Sequence, residues 1–191
     1  MYKAVHDPNC YPGTSVLRNK LDITDPAELG AFEADMVTLR AEESFPEGDI
    51  TPLLFRAFHH HLFQDVYALA GDPRIVRIHK DESTFCYPEH IEAQLDRLFG
   101  WLSSENFLEG LTADEFAEKG AHFLSDINVI HAFREGNGRT QMAFFTMLAE
   151  RAGHPLDLDR LDPDGFLDAM VAAFNGNEVP LALNLRDLLM S

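Results

Sequence analysis

The chain has 191 residues, 46% of them apolar and 25% charged, which fits one domain with a substantial core and argues against a disordered chain. Fifteen Lys and Arg against 32 Asp and Glu leave a formal charge of −17, so nucleic-acid phosphates and anionic membrane surfaces are repelled and direct nucleic-acid binding is not expected. A nucleotide is compatible with this balance, because one small positive pocket can hold it inside an acidic protein; the charge itself serves solubility or attracts a basic partner.

No apolar run approaches bilayer length, and the start Met1-Tyr-Lys-Ala-Val-His-Asp-Pro lacks the basic-then-apolar layout of a secretory signal. A cytoplasmic protein with no membrane partner is expected. Cys10 and Cys86 read as two ordinary thiols without metal-ligand spacing.

In chain order, Asp25 caps a helix with Pro26 at its first position and Glu28 three residues after the cap, and Leu29, Phe32, Met36 and Leu39 share its inner face. Thr51-Pro52 opens a second helix carrying Leu54, Phe58 and Leu62 inward. Next comes alternation in Ile75–Lys80, a polar turn at Asp81-Glu82-Ser83, and Thr84-Phe85-Cys86, which predicts a small hairpin. Its edge either accepts a strand from another protein or is a plain connector.

Pro88 starts a third helix with Leu95, Leu98, Trp101 and Leu102 as its stripe. Thr112-Ala-Asp-Glu115 has the capping-box pattern and precedes Phe116, Phe123, Leu124, Ile127 and Ile130. A helix from about Gly138 to Ala152 is apolar almost all round, which predicts a central, buried element, with Gly153 as its left-handed stop. Asp162-Pro163 starts another through Phe166, Met170 and Phe174, and a last segment runs from Leu181 to Leu189. The fold class is mainly α, with one small β-hairpin flap.

Chemistry concentrates between two of these helices. In Arg134-Glu-Gly-Asn-Gly-Arg139, two glycines let the backbone turn with N–H groups facing a ligand, and the helix that follows adds its amino-terminal dipole. Arg139 can fork onto phosphate oxygens, and Asn137 can donate its side-chain amide to them. Glu135 would repel a bare phosphate, so it makes sense with a magnesium ion between them. His131 is able to take a proton near neutral pH. Phosphoryl or nucleotidyl transfer follows as the expected chemistry. His59-His60-His61 reads as structural, because consecutive helical residues point in different directions.

The stretch from His131 to Arg139 resembles the Fic signature His-x-Phe-x-Asp/Glu-Gly-Asn-Gly-Arg-x-x-Arg. Tyr11-Pro-Gly-Thr-Ser-Val-Leu-Arg-Asn-Lys20 is similar to the start of compact bacterial Fic toxins. His61-Leu-Phe-Gln-Asp-Val-Tyr67 with Ala70-Gly71 resembles the element before the family's flap, and Lys80 to Phe85 the flap itself.

The resemblance implies a single Fic domain over residues 1–191 and a protein adenylyltransferase. Its substrate would be ATP, from which AMP passes to a Ser, Thr or Tyr hydroxyl of a target protein as pyrophosphate leaves. In that reading His131 is the base, and Asn137 with the amides of Gly136 and Gly138 holds the α-phosphate. Glu135 holds magnesium, Arg139 takes the β-phosphate side, and Ile78, His79 and Lys80 dock the target's backbone. Phe133 packs under the loop. The resemblance further implies the toxin of a toxin–antitoxin pair, restrained by a separate small antitoxin, with gyrase or topoisomerase IV as the target.

Three positions depart from the family. Met142 stands where the second arginine falls, Ala132 where proline is usual and Leu69 where tryptophan is usual. Losing a charged hydrogen bond such as the second arginine's costs roughly 1.5–3 kcal/mol, about ten- to a hundredfold. The family's inhibitory motif, Ser/Thr-x-x-x-Glu-Gly/Asn, has no match: Ser44-Phe-Pro-Glu47-Gly48 is one residue short. The alternatives are a weakly active or silent relative that binds nucleotide or a partner, or a transferase with another donor.

Overall fold

The computed structural model describes residues 7–80 and 83–190. Asp81 and Glu82, expected at the hairpin tip, lie outside the described residues. The chain packs as two compact units: one runs to Ile91 and adds Ala132–Thr140, the other holds Glu92–His131 and the residues from Gln141 onward.

In the first unit, α1 (Pro26–Ala41) starts as its sequence requires, with the Asp25 carboxylate accepting from the N–H groups of Ala27 and Glu28, both at 2.9 Å. Its buried row is Leu29, Glu33 and Val37, while Phe32 and Met36 are half-buried and Leu39 is exposed. The expected face is therefore rotated, and a carboxylate sits within it. Packed on α1 is α2 (Pro52–Phe63), capped by the Thr51 hydroxyl and burying Leu54, Phe55, Phe58, His59, Leu62 and Phe63. The hairpin is shorter than its sequence suggests: β1 (His79–Lys80) pairs antiparallel with β2 (Ser83–Thr84), His79 opposite Thr84.

The second unit contains α3 (Ile91–Ser104) from its second residue onward, with Leu95, Leu98, Phe99 and Leu102 in the core and Trp101 half-buried, edge-on to His122. Next, α4 (Ala113–Ile130) opens on a complete capping box, Thr112 accepting from Glu115 N–H and Glu115 from Thr112 N–H. It packs against α6 (Pro163–Phe174) and α7 (Val179–Leu188). Gly120 is required there, because a Cβ would stand 2.7 Å from the Phe145 ring.

Helix α5 (Asn137–Arg151) begins in the first unit and continues in the second, and Gly153 stops it at φ +83°. Phe144, Phe145 and Leu148 are buried, but Met142, Ala143 and Met147 are only half-buried, so it is not enclosed on every side as its composition suggested. Cys10 and Cys86 are both free thiols. No described helix is long and apolar enough to cross a membrane.

Candidate active site

His131 is the left-handed C-cap of α4, at φ 47° and ψ 59°. Its N–H donates to the Ile127 carbonyl at 3.1 Å, which closes the helix. Its ring Nδ1 lies 3.1 Å from the Asn128 carbonyl. A carbonyl can only accept, so Nδ1 carries a proton and donates it there. The residue is 4% exposed. A side chain so held has its orientation set before any substrate arrives.

The following residues form a closed turn. Asn137, 2% exposed, accepts the Phe133 N–H at 2.9 Å and donates to the Phe133 carbonyl at 2.8 Å. Its amide therefore ties the turn shut from inside. Thr140 reaches back to the Gly136 carbonyl through its N–H and its hydroxyl.

Only one of the two glycines has the left-handed backbone. Gly136 is at φ +78°, and a Cβ on it would be 2.2 Å from the Phe63 ring. Gly138 is helical with open space at its Cβ position, so it leaves the first turn of α5 uncovered instead of shaping it. The Gly136 N–H donates to its neighbour's carboxylate, Glu135 Oε1, at 3.1 Å. An anionic oxygen thus already sits on a loop amide beside the positive end of α5.

Arg139 lies over the Phe63 ring, 4.8 Å from its centroid, and donates to Glu33 at 2.6 Å. The same carboxylate accepts from the Tyr67 hydroxyl. Burial first, and the Glu33 charge after it, push the Tyr67 phenol well above its ordinary value, so it remains a donor.

Below the turn, Phe133 is fully buried and stacks on His59 with centroids 3.8 Å apart, as expected of a residue packing under the loop. His59 takes the Gly71 N–H at Nδ1 (2.8 Å) and lies 3.0 Å from the Glu135 carbonyl at Nε2. Burial pulls it down to about 4, so it is neutral at physiological pH. His61 instead bonds the Arg40 carbonyl and His60 is exposed, so the three histidines do not converge.

Two more arginines brace the turn. Arg134 pairs with Asp7; burial alone would raise that carboxyl, but the Arg134 hydrogen bond and charge together with the Asn9 N–H hold it below the usual range. Arg74, 3% exposed, joins its N–H to the Ala132 carbonyl and its guanidinium to the carbonyls of Val76 and Cys86, on either side of the hairpin. Burial lowers it to about 10, and it stays charged.

Of the residues singled out from sequence, Glu135, Gly136, Asn137, Gly138 and Arg139 share this one turn. His131 precedes it on α4. Ile78 is 1% exposed at the foot of the hairpin, and His79 and Lys80 form β1. Sequence reasoning gave no role at this turn to Glu33, His59, Phe63, Tyr67 or Arg74. A signal existed for two of them: Glu33 follows Leu29 and precedes Val37 by four residues, and His59 lies likewise between Phe55 and Phe63. A polar residue in the middle of an apolar row has to find a partner.

Residues 49–149 match the Fic/DOC family. The chain is 50% identical over 189 residues to the probable protein adenylyltransferase y4lH of Sinorhizobium fredii, covering 98% of both chains. It is 32% identical over 182 residues to the probable protein adenylyltransferase Fic of Escherichia coli, covering 93% of this chain and 89% of that one. Its fold is similar to that of BepC, a VirB-translocated effector of Bartonella tribocorum with bound AMPPNP. That match has a TM-score of 0.84 and 27% identity over 95% of this chain and 96% of the other. The chain belongs to the Fic/DOC family.

Proposed function

We propose that the protein is an adenylyltransferase that moves AMP from ATP to a hydroxyl of a target protein, with residues 1–191 acting as one Fic domain. The observation that carries this reading is the Gly136 amide holding a carboxylate oxygen just before α5, five residues after a histidine whose Nδ1 is tied to a carbonyl. His131 Nε2 takes the proton of a Ser, Thr or Tyr hydroxyl, whose oxygen attacks the α-phosphorus. The new P–O bond forms as the α–β bond breaks, and pyrophosphate leaves with the electron pair. The amides of Gly136 and Gly138 stabilise the charge that develops on the α-phosphate. Asn137 supports them by keeping the turn closed, and Arg139 binds the β-phosphate side.

Glu135 is a half-buried carboxylate next to the Gly136 amide. A hard oxygen ligand of that kind suits magnesium, which is commonly held by one or two carboxylates plus substrate phosphates. Glu135 would hold it, and when bound it would neutralise phosphate charge. Ile78, His79 and Lys80 dock an extended segment of the target by backbone pairing. Cytoplasmic gyrase or topoisomerase IV as target, and a small antitoxin as partner, rest on resemblance to Fic toxins.

A second reading, a silent nucleotide-binding relative, is favoured by one observation: Met142 places a thioether where the family has its second arginine. Magnesium with each α-labelled nucleoside triphosphate in a bacterial lysate separates the two. A labelled protein band is expected with ATP and none with His131→Ala, which should still be protected by ATP against thermal unfolding. Unchanged labelling by His131→Ala would refute the base. Met142→Arg should raise labelling by roughly ten- to a hundredfold if the missing charge limits the rate. A band that appears only in Met142→Arg would make the wild type a binding module.

A further inference from the structure

His59 is an enclosed, neutral imidazole for which the transfer reading has no use. Its ring is sandwiched between Phe133 and Phe63, at 3.8 and 4.7 Å between centroids. Its two nitrogens are both engaged in a definite sense. The Gly71 N–H can only donate, so Nδ1 accepts; Nε2 therefore carries the proton and donates it to the Glu135 carbonyl.

Gly71 is itself locked. It has φ +86°, Arg56 Nε donates to its carbonyl at 2.9 Å, and a Cβ would press on His60 Cβ at 3.1 Å and on the Arg56 carbonyl at 3.2 Å. The ring is thus a rigid strut from the loop amide of Gly71, beyond the end of α2, to the peptide joining Glu135 and Gly136. In a trans peptide the carbonyl and the following N–H point in opposite directions. Pinning the Glu135 carbonyl to His59 therefore turns the Gly136 N–H away from the ring, toward the side where it now meets a carboxylate oxygen.

We propose that His59 is a positioning residue for transfer: through its Nε2–H it fixes the orientation of the Glu135–Gly136 peptide, so that the Gly136 amide is presented to the α-phosphate. Gly71 serves the same end by setting the tautomer of the ring. This rests on the transfer reading and adds to it the device that aims the loop amide. The ring touches neither nucleotide nor target and acts only through the backbone.

The test compares His59→Phe, which keeps the stacking and loses both hydrogen bonds, with His59→Gln, which retains a donor and an acceptor on one side chain. Initial rates of labelling from α-labelled ATP are read at a temperature where circular dichroism shows both variants folded. His59→Phe should fall on the order of a hundredfold, the effect of losing one oxyanion donor, and His59→Gln should recover most of the loss. Equal rates for wild type and His59→Phe, or a glutamine variant as slow as the phenylalanine one, would overturn the proposal, since shape alone would then account for the ring.

Should the wild type bind ATP without His131-dependent labelling, the transfer reading falls. The strut is then judged by the calorimetric Kd for ATP with magnesium, at least tenfold weaker in His59→Phe and restored in His59→Gln. Equal Kd values would sink it. A wild type that binds no ATP refutes both. Should the phenylalanine variant not fold, the wild type suffices: nitrogen-edited NMR should show the proton on Nε2 at neutral pH and a shift of that signal on adding ATP. A proton on Nδ1, or a signal indifferent to ATP, would count against the strut.

Discussion

Glu33 lies on the same row of α1 as Leu29 and Val37, so packing that face against the rest of its unit buries a carboxylate with it. Such a charge persists only with partners. Arg139 and the Tyr67 hydroxyl supply them, and they come from residues far along the chain. Glu33→Ala should cost about 1–3 kcal/mol, because the Tyr67 hydroxyl loses its buried acceptor while Arg139, at 40% side-chain exposure, can turn to water. Urea denaturation would read this. A stability unchanged within error would mean that the hydroxyl finds another acceptor. The same logic separates the three consecutive histidines: each points in its own direction, and only the inward ones bond a backbone carbonyl.

Among elements, α4 is the one whose two ends are most completely specified locally. Its first turn closes on a reciprocal pair, Thr112 with Glu115, and its last turn ends in a left-handed His131. Thr112→Ala removes one half of the box and should lower stability by about 1 kcal/mol, seen as a lower urea midpoint with an unchanged slope. An unaltered midpoint would show that the exposed cap contributes nothing net. The hairpin is the opposite case. Alternation predicted strands reaching Ile75 and Cys86, yet the ladder holds two residues on each side. The carbonyls of Val76 and Cys86 are taken by the Arg74 guanidinium, so they bond a side chain in place of a facing strand. Nothing in the alternation of a strand announces that a neighbouring arginine will claim its carbonyls.

For the molecule as a whole, the buried neutral histidine gives stability a definite pH dependence. The folded His59 titrates at about 4, below its ordinary 6.5, so between these values the unfolded chain binds the additional proton. Stability from this group is complete above about 6.5 and is lost as pH falls toward 4, by up to about 3 kcal/mol. Depressed carboxyls such as Asp7 and Asp65 add losses of the same sign at lower pH. Denaturant melts of wild type and His59→Gln between pH 7 and 4 isolate the histidine. The wild type should lose more stability over that range, and parallel curves would show that the ring takes up its proton without unfolding.

Much of the fold was legible in the sequence because it is encoded over short distances. Asp25 before Pro26, Thr51 before Pro52, the Thr112–Glu115 box and Gly153 each act within a few residues, and the helices start or stop beside them. The turn from Glu135 to Arg139 was legible for the same reason, since its glycine, amide and arginine are contiguous. Tertiary structure decided what holds that turn. Glu33 is 106 residues from Arg139, His59 is 76 from Glu135 and Asp7 is 127 from Arg134. Hydrophobic periodicity records which face of a helix is buried, but it does not say which distant polar group will be buried against it. That pairing exists only once folding has removed water from both partners and left each as the other's remaining source of hydrogen bonds.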